Sequence, residues 1–410
     1  MDAFEDILKA RYTISPMIHT NPYHVEVIRT PLTRNINVRF DDIRDEIIAA
    51  FSDHITTQDH EWAELPTAET ARKIVVRTSN RLFVGLPLCK IVGRVFTKRN
   101  ESMRRALRHL APVIEERLRM HDEHGSEWAS RPNDYISWLI EATEYQAEDW
   151  QKGSVEDLTL RILAVNFAAI HTTSMALTFA LHNLAANPHH AEPLRREVEM
   201  VVGQEGWTKG AMVKLRLMDS FLKESQRPNG GSSTFKHVST IPTLTLKPVA
   251  MINRKAKKDF KFSDGTIVPA GTHISVATEF THCNEATYPD PNGFNATRFS
   301  DLRDKEGEGL KHQMVTPTPD WLSFGTGEST LLIRYGWEFQ PDDSAGKHAC
   351  PGRFFAVSEI KAMLAHVLLN YDVKFKDDAP CPPAMNIAGN AGPDENAKVM
   401  FRKRINTSTL

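Results

Sequence analysis

The residue most open to a chemical role is Cys350, in the stretch GKHACPGRFFA. A cysteine followed by Pro-Gly does not fit inside a helix, and a helical pattern begins just after it, from about Arg353 to Leu369. Its sulfur therefore falls near a helix N-terminus, where backbone N–H groups and the helix dipole favour a thiolate. A thiolate held that way is a good ligand for iron, because the amides tune how much electron density it donates. The competing reading is a buried, inert cysteine, the usual fate of a lone one. Two other groupings are placed for chemistry. Glu224 and Arg227, in FLKESQR, have the i, i+3 spacing that sets both on one helix face, although most such pairs are solvated surface pairs. His171, Thr172 and Thr173, in FAAIHTTS, sit in the middle of an apolar run. A threonine hydroxyl there can bond the carbonyl one turn earlier and open the helix to water, whereas most paired threonines merely pack.

These groups need elements to hold them. Most of residues 40–225 reads as helix, with HLAPVIEERLRM as one amphipathic example. The longest candidate is SVEDLTLRILAVNFAAIHTTSMALTFALHNLAANP, closed by Asn187-Pro188. About 30 residues at 1.5 Å each make a rod of roughly 45 Å, enough to cross a domain. The run from Ile162 to Leu181 has the length of a membrane span, but Asn166, His171, Thr172, Thr173 and Ser174 lie in its middle. A buried central helix is the better reading. After Phe221 the texture changes. Asp264-Gly265 between short alternating runs predicts a hairpin, and YPDPNGFNATRFSDLR predicts irregular chain. The expected class is mainly α with small β-sheets, as a single domain over residues 1–410.

Composition narrows the function classes. A net charge of −2 with 25% charged residues gives no sign of nucleic-acid binding. The four cysteines (Cys89, Cys283, Cys350, Cys381) are far apart and form no CxxC pair, which argues against a zinc ribbon or disulfide framework and for a reducing environment. The first twenty residues are acidic and polar, without a signal-like apolar stretch, so the chain as written reads as soluble.

The wording around Cys350 closely resembles the cysteine-ligand loop of cytochromes P450 in its fungal form, Phe-x-x-Gly-x-x-x-Cys-x-Gly with an alanine four residues on. Gly346, Cys350, Gly352 and Ala356 match, and His348 takes the basic position beside a haem propionate. The resemblance implies haem b with Cys350 as axial iron ligand. It also implies that Glu224 and Arg227 are buried and joined by Arg298, from FNATRFS, in a network that holds the cysteine loop against the core. FAAIHTTS is similar to the family's oxygen-binding segment. Ala169 takes the small position over the iron, Thr172 the proton-relay position with Thr173 beside it, and His171 replaces the usual acidic residue. YHVEVIRTPLTRNI resembles the family's third helix, which places Arg29 at a propionate and Val25 where tryptophan is common. The similarity runs from about Tyr12 to Phe401. RTSNRLFVGLPLC and SDGTIVPAGT look like basidiomycete members related to ent-kaurene oxidases and other terpenoid-modifying enzymes.

Three departures stand beside these matches. The chain starts just before the third helix, which implies a fold lacking the N-terminal anchor and first helices. RLFVGLPLCKIVGRVFT omits a helical segment expected on the substrate side. The cysteine loop is interrupted: Phe324 belongs directly before it, in LSFGTG, but residues 328–346 intervene, and removing them restores FGTGKHACPG. Gly-Glu-Ser is encodable with a splice donor and Ala-Gly with an acceptor, so the segment reads as a retained intron that separates Phe324 from the sulfur it should shield. KHVSTIPTLTLKPVAMINRK similarly lengthens a usual link.

The implied activity is a haem-thiolate monooxygenase that oxidises a lipophilic, terpenoid-like secondary metabolite. It would use O2 and electrons from an NADPH-dependent cytochrome P450 reductase, at the cytosolic face of the endoplasmic reticulum. Lys347, Arg353 and Lys361 cluster near the sulfur, either as part of a basic docking face or as a solvated charge cluster. The alternative is a non-catalytic fragment, from a faulty gene model or a degenerate gene, unable to bind haem productively.

Overall fold

Helical spacing organises the front of the chain into α1 (Phe40–His54), α2 (Thr67–Phe83), α3 (Arg99–His124), α4 (Tyr135–Gln146), α5 (Val155–Ala186), α6 (Ala191–Glu205) and α7 (Arg216–Gln226). Further along come the short α8 (Arg298–Arg303) and the long α9 (Arg353–Asn370). The computed structural model describes residues 17–57, 61–85, 99–227, 252–262, 264–276, 278–325, 349–387 and 390–405.

Helix α5 begins where the side chain of Ser154 accepts the Asp157 N–H and ends at Asn187, before the proline that cannot continue it. Leu158, Ile162, Leu177, Leu181 and Leu184 bury its apolar face with Ile74 and Val75 of α2 and Met363 and Val367 of α9 in one core. Each such side chain contributes about 1.5–3 kcal/mol relative to exposure. The helix is long and apolar enough to cross a membrane by length and composition. It packs instead on α2, α3, α7 and α9, and its first turns carry the fully buried pair Asp157–Arg161 at 2.7 Å. Tyr23 seals that pair, donating its hydroxyl to Asp157 at 2.7 Å while its ring covers the Arg161 guanidinium at 3.7 Å. A central protein helix is what these contacts define.

The strands are short. A three-stranded antiparallel sheet of order β1 (Ala63–Pro66), β9 (Lys398–Lys403), β6 (Tyr371–Lys374) pairs Ala63 with Phe401 and Tyr371 with Lys403. β2 (Ile252–Lys255) pairs with β5 (His273–Val276), β3 (Phe260–Lys261) with β4 (Ile267–Val268), and β7 (Met385–Ile387) with β8 (Asn390–Gly392). The Asp264-Gly265 hairpin is present: Gly265 has φ +89°, and the Asp264 carboxylate accepts the Thr266 N–H at 2.8 Å. Strand β1 interrupts a stretch expected to be helix. Ala-Glu-Leu-Pro has no alternation of its own, and only pairing with the far end of the chain makes it a strand.

Candidate haem-thiolate site

Cys350 sits just ahead of the α9 N-cap, Gly352, with Pro351 between them. Burial pushes its thiol up, while the Gly352 N–H, the Arg353 charge and the Arg353 N–H pull it back toward the thiolate. The residue as a whole is nonetheless exposed to solvent. Its own N–H donates to the Phe324 carbonyl at 2.8 Å, and Phe324 packs against the core. The chain leaves at Gly325 (φ +70°) and returns at Ala349, so both sides of the interruption meet. The expectation that residues 328–346 part Phe324 from Cys350 therefore fails: a loop with adjacent ends inserts length without moving its anchors. Residues 328–346, His348 and Lys347 themselves lie outside the described residues, as do most of RLFVGLPLCKIVGRVFT and KHVSTIPTLTLKPVAMINRK.

Other groups collect around this turn. Gly352 keeps an ordinary φ of −86°, and a Cβ there would meet Ile28 Cγ2 at 3.7 Å, which brings the Arg29 segment against the cysteine loop. Arg29 lies in the π-helical turn Ile28–Leu32, half-exposed and ion-paired with Glu26, and its charge reaches Arg353. Arg353 donates to the Cys350 carbonyl at 2.9 Å and to the Val315 carbonyl at 3.2 Å. Lys361 does not join it on a docking face. It is 3% exposed, with Nζ 2.5 Å from Asp219, because the inner face of α9 turns it into the core.

The Glu224 carboxylate, fully buried, receives Arg227 through two bonds of 2.8 Å and Arg298 Nε at 3.0 and 3.1 Å. Arg227 reaches on to the carbonyls of His282 and Pro291, both at 2.9 Å, and Arg298 to those of Pro289 and Asp290. Two guanidinium groups thus satisfy one carboxylate and tie α7 to the chain between His282 and Arg298.

On α5, Ala168 and Thr172 are exposed, with Ala164, Ala169, His171, Met175 and Ala176 half-buried. Ala164, Ala168, Thr172 and Met175 follow helical spacing, so the middle of the central helix keeps one open stripe. Thr172 Oγ1 donates to the Ala168 carbonyl at 2.8 Å. The helix does not open there, and α5 stays continuous through all three residues. Thr173 is buried with its hydroxyl unpartnered. His171 meets Phe167 edge-on at 5.0 Å; burial and then the Arg72 charge hold it below the usual histidine range, with Glu395 opposing.

These residues fit a thiolate-ligated haem: an exposed cysteine just ahead of α9, and a central helix, α5, that packs on α9 and keeps an open threonine stripe. Fold and site together define the haem-thiolate class. A family model described as Cytochrome P450 matches residues 47–329 and 344–401. Cytochrome P450 monooxygenase 103 of Postia placenta is 39% identical, over 98% of this chain and 79% of its own length. Cytochrome P450 monooxygenase CYP512U6 of Ganoderma lucidum is 29% identical over 99% and 78%. Among solved structures, a cytochrome P450DA haem domain superposes with TM-score 0.63 at 15% identity, covering 94% of this chain and 77% of that one. The chain belongs to the cytochrome P450 family, whose cofactor is a haem with an axial cysteine thiolate, and it is of the monooxygenase type found in fungi.

Two contributors near the site escaped the sequence reading. Ile28, beside Arg29, touches the cysteine loop through a packing contact that no spacing reveals. Glu359, nine positions beyond Cys350, is fully buried and accepts a hydrogen bond from Ser79 of α2 at 2.9 Å. No spacing marks it, because α9 is apolar nearly all round.

Proposed function

We propose that Cys350 supplies the thiolate to the haem iron, and that the chain oxidises a lipophilic, terpenoid-like small molecule with electrons from an NADPH-dependent reductase. The observation that carries this is Cys350 set just ahead of the α9 N-terminus with its N–H pinned to the Phe324 carbonyl. Bound haem supplies O2 activation and transfer of one oxygen atom to a C–H bond. The residues of the chain set the conditions for it. Phe324 would shield the sulfur, and Arg29 and, by the family resemblance, His348 would hold the propionates. Gly352 keeps the turn slim, and Ala169 leaves room beside the open stripe of α5. Thr172 Oγ1 holds a proton at that stripe and exchanges it with water, with His171 and Thr173 flanking it. The lipophilic substrate meets Ala164, Ala168 and Met175 there. The reaction belongs at the cytosolic face of the endoplasmic reticulum.

We read residues 328–346 as an inserted segment from a retained intron. The gap in the family match from 330 to 343 supports this, and sequencing transcripts across Phe324–Cys350 tests it. The meeting of Phe324 and Cys350 across the segment speaks against the non-catalytic alternative. The decisive measurement is the reduced, carbon-monoxide-bound spectrum of wild type and Cys350→Ala. The wild type should give a thiolate-type Soret band and the variant should lose it; an unchanged spectrum in the variant sinks the assignment.

A further inference from the structure

Between the Glu224 cluster and the cysteine loop stands His282, which neither spacing nor resemblance marks. It closes the short helix Thr278–His282 and is 4% exposed. Its carbonyl accepts Arg227 Nη1 at 2.9 Å. Its ring Nε2 accepts the Leu322 N–H, also at 2.9 Å, which leaves Nδ1 as the ring's N–H. With Nε2 as the acceptor the tautomer is fixed, and the Arg227 backbone favours the proton on the ring. The imidazole lies flat on Trp321, centroids 5.2 Å apart and planes 18° apart. The turn beyond Leu322 is closed by the Gly325 N–H on the Leu322 carbonyl at 2.9 Å, and within it the Phe324 carbonyl takes the Cys350 N–H.

A continuous set of hydrogen bonds thus runs from Glu224 through Arg227 and His282 to Leu322, and one turn later to Cys350. We propose that His282 is the positioning residue of the cysteine loop: by bridging Arg227 to Leu322 it fixes the backbone that presents the Phe324 carbonyl to Cys350. This deepens the reading of Cys350 as haem ligand and rests on it. Burial holds the ring down to about 3, so Nε2 remains an acceptor throughout the neutral range. A ring needed only for stacking on Trp321 would be replaceable by phenylalanine. A ring needed as an acceptor would not.

That contrast sets the test, run on the full chain with hydrogen exchange read by mass spectrometry and the carbon-monoxide spectrum read in parallel. His282→Phe keeps an aromatic face but removes the Nε2 acceptor. His282→Asn retains an amide near Nδ1 and lacks the Nε2 acceptor, and His282→Gln reaches the Nε2 position. Phe and Asn should speed exchange of the Leu322 and Cys350 amides by about tenfold, the effect of one lost hydrogen bond on local opening. They should leave the α5 amides protected and shift the Soret band away from the thiolate type. Gln should restore both readouts to within about twofold of wild type. The proposal is overturned if Phe or Asn leaves Cys350 exchange and the band unchanged, or if Gln behaves like Phe. Loss of α5 protection in both Phe and Asn would make His282 a general core residue and would also overturn it. Failure of the ligand reading is separately visible: Cys350→Ala then keeps the wild-type spectrum, whatever the exchange of the Leu322 and Cys350 amides shows.

Discussion

At the scale of single residues, burial decides what a charge is worth. Arg298 sets Nε against both Glu224 oxygens and spreads its two terminal nitrogens over the carbonyls of Pro289, Asp290 and Gly293. Lysine at 298 has one nitrogen and cannot reproduce that fork. Arg298→Met, which leaves the Glu224–Arg227 pair with one guanidinium for a carboxylate built to receive two, should cost about 3–5 kcal/mol. Arg298→Lys should recover less than half. Urea midpoints measure both, and a loss below about 1 kcal/mol for Arg298→Met would place the cluster among ordinary surface pairs. Thr172 is the opposite case, an exposed hydroxyl with no packing to lose. Thr172→Val should leave the urea midpoint and the carbon-monoxide spectrum unchanged while product formed per NADPH consumed falls about tenfold or more. Unchanged coupling would remove Thr172 from the proton path. Both residues were legible in the sequence because their motifs are contiguous. His282 was not, since its partners Arg227 and Leu322 come from distant stretches.

At the scale of elements, α2 and α9 meet through one buried acid. Glu359 accepts from Ser79, its second carboxyl oxygen has no partner, and burial raises it from 4.5 to about 8, with the Ser79 hydroxyl pulling the other way. Folded protein therefore keeps a proton that unfolded chain releases above about 4.5. Stability should be highest below that pH and fall as pH climbs toward 8, by up to about 5 kcal/mol from this one group. His182, His282 and His366, held low by burial, run the other way and lose stability as pH falls. A comparison of wild type with Glu359→Gln isolates the acid, because the amide does not titrate. Between pH 5.5 and 8 the variant should show a flatter stability curve, and parallel curves would mean that Glu359 is ionised in the fold. Elements with local signals were readable from sequence: α5 from its apolar run and Asn-Pro stop, α9 to within a residue, the β3–β4 hairpin from Asp-Gly. The β1–β9–β6 sheet was not. Four residues such as Ala63–Pro66 carry no strand pattern, and their conformation is set by a partner at the other end of the chain. The direction of Lys361 was equally hidden, because α9 is apolar nearly all round and spacing does not say which polar residue turns inward.

At the scale of the whole molecule, the interruption of the cysteine loop is where chain connectivity and architecture separate. The interaction that matters, Cys350 N–H to the Phe324 carbonyl at 2.8 Å, is made across it, and Gly325, just after Phe324, takes a positive φ. A segment anchored so closely acts on the fold mainly through the entropy of closing a longer loop. Deleting residues 328–346 shortens the chain between the two anchors about fourfold, two doublings of loop length, and so should stabilise by only about 1 kcal/mol. The same deletion restores the continuous FGTGKHACPG sequence. The expected outcome is therefore a small rise in urea midpoint with a thiolate-type band at least as large per mole of protein as in the full chain. A marked fall in either would mean that the segment makes contacts of its own with the rest of the molecule. The segment would then be a working part of this chain, and the reading of it as a retained intron would lose its support.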